Sequence, residues 1–157
     1  MKTEFFDYLF KLMAKNKDIH LIFVGLGYPR VDEFLKVYPG RAINTEASEQ
    51  TALDIAVGLA YAGKIPFVYT ITPFFYRGFE TIRTYISHEN LNVKLCGAGR
   101  DDDYSKDDGY SHDAKDIGEI LDTQGIEQFY PLNNEDMRSM VDWMLESKNP
   151  QFLSLTR

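Results

Sequence analysis

Residues 41–71 read RAINTEASEQTALDIAVGLAYAGKIPFVYTI, and the succession of apolar patterns within them decides the fold. Residues 41–44 are a short strand-type run. Residues 65–71 are a second apolar run, too short for a helix and bounded by turn residues. Between the two, residues 48–63 carry Ala, Ile, Leu and Gly at helical spacing, with Ser48 as the N-cap candidate. The awkward residue is Glu49, a carboxylate in the first turn of a helix whose later face is apolar. The favourable dipole at a helix start accounts for an acid there. That is the simpler reading on the physics alone, and the residues around Glu49 have to raise the other one, a carboxylate required for chemistry.

Working outward, residues 4–15 place Phe5, Leu9, Leu12 and Met13 on one helical stripe. HLIFVG, residues 20–25, is of strand type, and VDEFLKVY is a short helix stopped by Pro39-Gly40. Downstream, Pro73 breaks the strand, and an amphipathic helix is expected over residues 76–88. NVKLCGAG is the next strand. Residues 100–111, RDDDYSKDDGYS, hold five Asp and almost nothing apolar, which reads as a long solvated loop. The pattern then resumes with DAKDIGEILDTQG (helix), IEQFYPL (strand), NNEDMRSMVDWMLES (helix) and QFLSLT (strand). Apolar runs that do not alternate, separated by helices, belong to a mostly parallel sheet covered on both faces. The expectation is a single three-layer α/β/α domain over residues 1–157, with about six strands.

Composition narrows the function. The 157 residues suffice for one core, and 44% apolar with 14% aromatic content fits an ordered domain with aromatics to spare for an interface or pocket. A formal charge of -7 argues against nucleic-acid partners, and no apolar run is long enough to span a membrane. A single cysteine, Cys96, precludes an intramolecular disulfide, and the N-terminus lacks a small-residue cleavage site, so a cytoplasmic location is expected.

In an open parallel sheet, functional groups gather at the C-terminal ends of the strands. Here those ends are residues 25–27, 44–49, 72–76, 97–112 and 131–135. Gly25-Leu26-Gly27 fails as a dinucleotide fingerprint, since no third glycine follows. Setting Gly109 at the sixth position of a calcium loop puts Tyr104 where the first carboxylate belongs. Zinc-ligand spacing and a G-x-S-x-G elbow are both absent from the sequence. His20 and His88 flank elements and read as boundary residues, whereas His112 lies at the functional edge. Phe74, Phe75, Tyr76 and Phe79 follow directly on a strand end, and a flat apolar wall beside Glu49 suits a planar heterocycle with ring nitrogens.

The spaced set of Glu49-Gln50 opening a helix, Gly58 and Gly63, Phe74 with Arg77, and Asp108-Gly109 with His112 resembles the pyrimidine-binding domain of transketolase-like thiamine-diphosphate-dependent enzymes, of the transketolase or deoxyxylulose-phosphate synthase type. The resemblance covers nearly the whole chain. It implies that Glu49 hydrogen-bonds N1′ of the cofactor's aminopyrimidine and promotes the imino tautomer that activates the thiazolium. It further implies that Phe74 packs on the pyrimidine, that Tyr76 and Gln50 contribute to cofactor binding, and that His112 is catalytic near the sugar or keto-acid substrate. Arg77 takes a structural or interface role in this reading. The GDG motif that holds diphosphate and Mg²⁺ in such enzymes does not occur in the sequence, nor does a third domain. The chain is therefore expected to be one subunit of a split enzyme for two-carbon ketol transfer, inactive alone. A homodimer, a hetero-oligomer with a GDG-bearing diphosphate subunit, or both would then form, with Mg²⁺ bound by the partner. The alternative is a non-catalytic homologue that acts as a structural or regulatory dimerisation module.

Overall fold

A computed structural model describes residues 1–25, 30–106, 109–112 and 116–157. Among these residues a six-stranded parallel sheet runs in the order β2-β1-β3-β4-β6-β5. Its strands are β1 (Ile19–Phe23), β2 (Ala42–Asn44), β3 (Ile65–Ile71), β4 (Lys94–Ala98), β5 (Glu127–Phe129) and β6 (Gln151–Leu155). The helices are α1 (Lys2–Lys15), α2 (Arg30–Val37), α3 (Glu49–Tyr61), α4 (Phe79–Thr81), α5 (Gly109–His112), α6 (Ile117–Thr123) and α7 (Asn134–Glu146).

Strands β1, β4 and β6 are buried at every position, as apolar runs covered on both faces must be. Successive residues point to opposite faces, so each strand feeds two cores. On one face Leu21, Phe23, Phe67, Tyr69 and Leu153 meet α1, α2 and α7 through Phe5, Phe6, Phe34 and Val141. On the other, Ile22, Val68, Leu95 and Phe152 meet α3, the helical segment that follows α4, and α6 through Leu53, Ala56, Ile82 and Leu121. Much of the aromatic surplus lies in the first core: Phe6 stacks on Phe23 and meets Tyr69 edge-on, at centroid distances of 5.9 and 4.7 Å.

From β1 the chain steps outward to β2, then returns through α3 to β3 on the other side of β1 and continues to β4. That reversal is the topological switch point, where open α/β sheets form a crevice beyond their strand ends. Register pairs Phe23 with Tyr69 and Ile71 with Ala98, which places the ends of β1, β3 and β4 side by side.

Two segments differ from the sequence expectation. The helical segment expected from residue 76 begins at Thr72 as a 3₁₀ turn, Thr72–Gly78, and runs through α4 into a π-type stretch, Ile82–Ser87. Pro73 sits in its first turn, where a missing N–H leaves no helical bond unmade, so the proline starts the helix as well as ending the strand. The acidic stretch is likewise not loop throughout. Residues 101–106 form turns and α5 is a helical turn. Asp103 Oδ2 accepts from the backbone N–H groups of Arg100 (3.0 Å) and Arg157 (2.9 Å), which ties the acidic turns to the end of β6.

Candidate functional site

The site is built from the loop before α3, the first residue of α3, the 3₁₀ turn and α5. Asn44 Oδ1 accepts from Gly25 N (3.2 Å) and Glu46 N (3.0 Å), while Thr45 donates from N (3.0 Å) and Oγ1 (3.2 Å) to Phe23 O. These bonds lash the α3 entry loop to the end of β1. Gly25 has φ +45, and a Cβ there would stand 2.8 Å from the carbonyl carbon and oxygen of Glu46, so the close approach needs glycine. Ser48 occupies the N-cap position of α3, yet its hydroxyl pairs with Thr51 Oγ1 at 2.7 Å instead of capping a backbone amide.

Glu49 is thereby delivered to the sheet edge only 3% exposed. Its Oε1 accepts from Arg77 Nη1 at 3.0 Å. The same guanidinium lies 4.0 Å over the ring of Phe74. A 3₁₀ helix has three residues per turn, so side chains at i and i+3 eclipse, and Arg77 falls on Phe74 for that reason. The other end of the turn is pinned by Thr72 Oγ1, which donates within 3.1 Å of Ala98 O and 2.8 Å of Gly99 O. From Phe74 the contacts continue to His112 (ring centroids 5.1 Å), then to Tyr104 (5.1 Å), over which the Arg157 guanidinium lies at 4.9 Å. Ser111 Oγ is 2.7 Å from His112 Nδ1.

Glu49, Phe74 and His112, far apart in sequence, thus share one line of contacts across the edge of the sheet. Gln50 is engaged elsewhere: its Nε2 donates to Asp54 Oδ1 (2.9 Å) and Thr81 Oγ1 (2.6 Å), and Thr81 donates to Asp54 (2.8 Å), joining α3 to α4. One residue along a helix from Glu49, Gln50 points about 100° away from it, which explains the different partners. Tyr76 turns toward the start of α6. Its burial, the hydrogen bond to Asp116 and that carboxylate's charge together raise the Tyr76 hydroxyl pKa well above the usual phenol range. The sequence reading named Arg77 with Phe74 but gave it a structural or interface role, without its contact to Glu49, and it did not place Tyr104 or Arg157 in the site. For Arg77 the usable signal is its three-residue spacing from Phe74 next to a proline-led turn. Leu26, Gly27 and Asp108 lie outside the described residues. Among the described residues no group of three or more His, Cys, Asp or Glu can hold a metal ion, and no helix is long and apolar enough to cross a membrane.

Chemically, the edge offers a carboxyl group shielded from water, a flat ring beside it, and an imidazole next to that ring. An aminopyrimidine needs a hydrogen-bond partner for a ring nitrogen and an apolar face to lie on, and Glu49 and Phe74 supply both. The residues present fit the group.

Comparison with known proteins identifies the family of the chain. The family model of the transketolase pyrimidine-binding domain matches residues 8–157. An apulose-4-phosphate transketolase subunit from Actinobacillus succinogenes is 28% identical over 80% of this chain and 41% of its own length. The 6-deoxy-6-sulfo-D-fructose transketolase subunit SqwH of a Clostridium species is 27% identical over 81% of this chain and 40% of its own. A split-gene transketolase solved as an inactive beta4 tetramer superposes with a TM-score of 0.86 at 28% identity, over 99% of this chain and 50% of that one. The chain therefore spans about two fifths to one half of the length of these three relatives.

Proposed function

The chain belongs to the transketolase pyrimidine-binding domain family, and from that premise we propose that it is the pyrimidine-binding subunit of a split, thiamine-diphosphate-dependent transketolase-like enzyme. The observation that carries the reading is the Glu49 carboxyl group, 3% exposed and sharing Arg77 with the face of Phe74. When bound, thiamine diphosphate supplies the carbon nucleophile for two-carbon ketol transfer. Glu49 holds a proton against the ring nitrogen at a place where water does not compete for it. Phe74 gives the ring a flat support, and Tyr76 backs that wall while anchored toward α6. His112 donates to an oxygen of a sugar or keto-acid substrate. Gln50 serves by fixing α3 against α4, and so fixes where Glu49 stands. A partner with a GDG motif supplies the diphosphate and Mg²⁺ site, and the assembly works in the cytoplasm.

The test is reconstitution with a diphosphate-binding partner encoded in the same genome. Glu49→Gln should lower ketol transfer by about a hundredfold or more while the mass of the complex is unchanged. Full activity in that variant would remove Glu49 from the chemistry. A complex that forms and turns over no ketose would instead favour the non-catalytic homologue.

A further inference from the structure

Arg77 makes, with one planar group, the two contacts that an aminopyrimidine asks of this site. Its Nη1 donates to Glu49 Oε1 at 3.0 Å, and its guanidinium carbon lies 4.0 Å from the centroid of the Phe74 ring. We propose that Arg77 is a displaceable stand-in for the cofactor ring, holding Glu49 and covering Phe74 until an aminopyrimidine takes its place. The inference rests on the reading of the site given above.

Three observations support it. First, the covered face of Phe74 cannot carry Arg77 and a second flat ring together, because 4.0 Å is already contact distance. Second, a ring nitrogen and a carboxylate oxygen are both acceptors, and their hydrogen bond needs a proton on one of them. While Oε1 accepts from a guanidinium, which does not give up its proton, that oxygen cannot donate to the ring. Third, the two partners differ in freedom to move. The Glu49 side chain is 3% exposed and fixed by the start of α3, whereas that of Arg77 is 54% exposed and can swing into water. The stand-in also has a purpose in the empty chain, since a buried carboxylate with no counter-charge is strongly destabilising. Arg77 thus keeps the acid buried and ready without closing the site for good.

The experiment titrates the full chain with thiamine, which carries the aminopyrimidine without needing a diphosphate site. Arg77→Met keeps the length of the side chain and removes both contacts. It should bind thiamine roughly tenfold more tightly than the unmodified chain, the size expected for releasing a half-exposed ion pair and a guanidinium–ring contact together. Arg77→Lys, which keeps the charge but has no plane to lay on Phe74, should fall between the two. Glu49→Gln should weaken binding in every background. In the unmodified chain, added thiamine should speed solvent exchange of the Arg77 guanidinium protons by NMR, a readout that survives if the variants fold poorly. Glu49-dependent binding that is unchanged or weaker in Arg77→Met would overturn the stand-in and make Arg77 a positioning residue, with the reading of the site intact. Binding by neither chain, or binding indifferent to Glu49, would defeat that reading and the inference with it.

Discussion

Lys94 gives the sharpest test of the fold. It opens β4 and is fully buried. Its Nζ donates to Ser147 O (3.2 Å), Asn149 O (2.9 Å) and Gln151 Oε1 (2.7 Å), and Gln151 in turn donates to Glu127 Oε2 at 2.6 Å. Those acceptors match the N–H bonds of an ammonium group, yet burial weighs more and lowers the Lys94 pKa from 10.5 to about 7, against the smaller opposing charge of Glu127. The sign follows from proton counting. Between about pH 7 and about pH 10.5 the unfolded chain binds the proton and the folded chain does not, so stability from this group rises with pH, by up to about 1.4 kcal/mol per unit. Below about pH 7 both states carry the proton and the dependence vanishes. Lys94→Met removes this term and leaves buried acceptors unmatched, a loss of about 1–3 kcal/mol. Urea denaturation of both chains from pH 6 to about pH 9.5, followed by circular dichroism, cancels every other titration in the difference between them. That difference should be small or reversed at about pH 6 and should grow in favour of the lysine as pH rises. Parallel profiles would refute the reasoning, since they would mean that Lys94 keeps its proton throughout.

Two further substitutions probe the frame around the site. At Gly99 φ is +85 and a Cβ would stand 2.2 Å from Tyr104 Cε2, so Gly99→Ala should cost about 1–3 kcal/mol and push Tyr104 off His112, visible as a shift of the His112 ring protons by NMR. Asn133 caps α7, its Oδ1 accepting from Glu135 N and Asp136 N at 2.9 Å each; Asn133→Ala should lower stability by about 1 kcal/mol in a thermal melt and leave thiamine binding unchanged.

The layers of the fold were legible because a strand covered on both faces has to be an apolar run, and Ile65–Ile71 or His20 to Val24 can be little else. The order of the strands was not legible. Periodicity says which residues are buried and nothing about which strand lies beside which, so the reversal between β1 and β3 had to come from the structure. Rules about the ends of parallel strands brought Glu49, Phe74 and His112 to one edge without any distance known. Arg77 was named beside Phe74, but its contacts escaped because they depend on a three-residue repeat: read as an α-helix from residue 76, the segment never sets Arg77 over Phe74, and only the tighter turn begun at Thr72 does.

The remaining question at Glu49 is whether its position at a helix start is sufficient reason for it. A favourable interaction with the helix dipole is worth about 0.3–1 kcal/mol for an exposed acid in the first turn, and it needs no burial. Glu49 is instead taken out of water almost completely, beside an N-cap serine whose hydroxyl leaves the backbone amides alone. Removing a carboxylate from water costs several kcal/mol before its partner returns any of it, so the dipole cannot account for the placement and a half-exposed arginine offsets it only in part. Residues held against stability in this way mark sites where function sets the residue. Glu49→Gln keeps the shape and still lets an oxygen accept from Arg77, while discarding the charge. Its melting temperature should equal or exceed that of the unmodified chain. A loss larger than about 1 kcal/mol would show that the carboxylate is there to hold the helix, and the chemical reading of Glu49 would lose its physical basis.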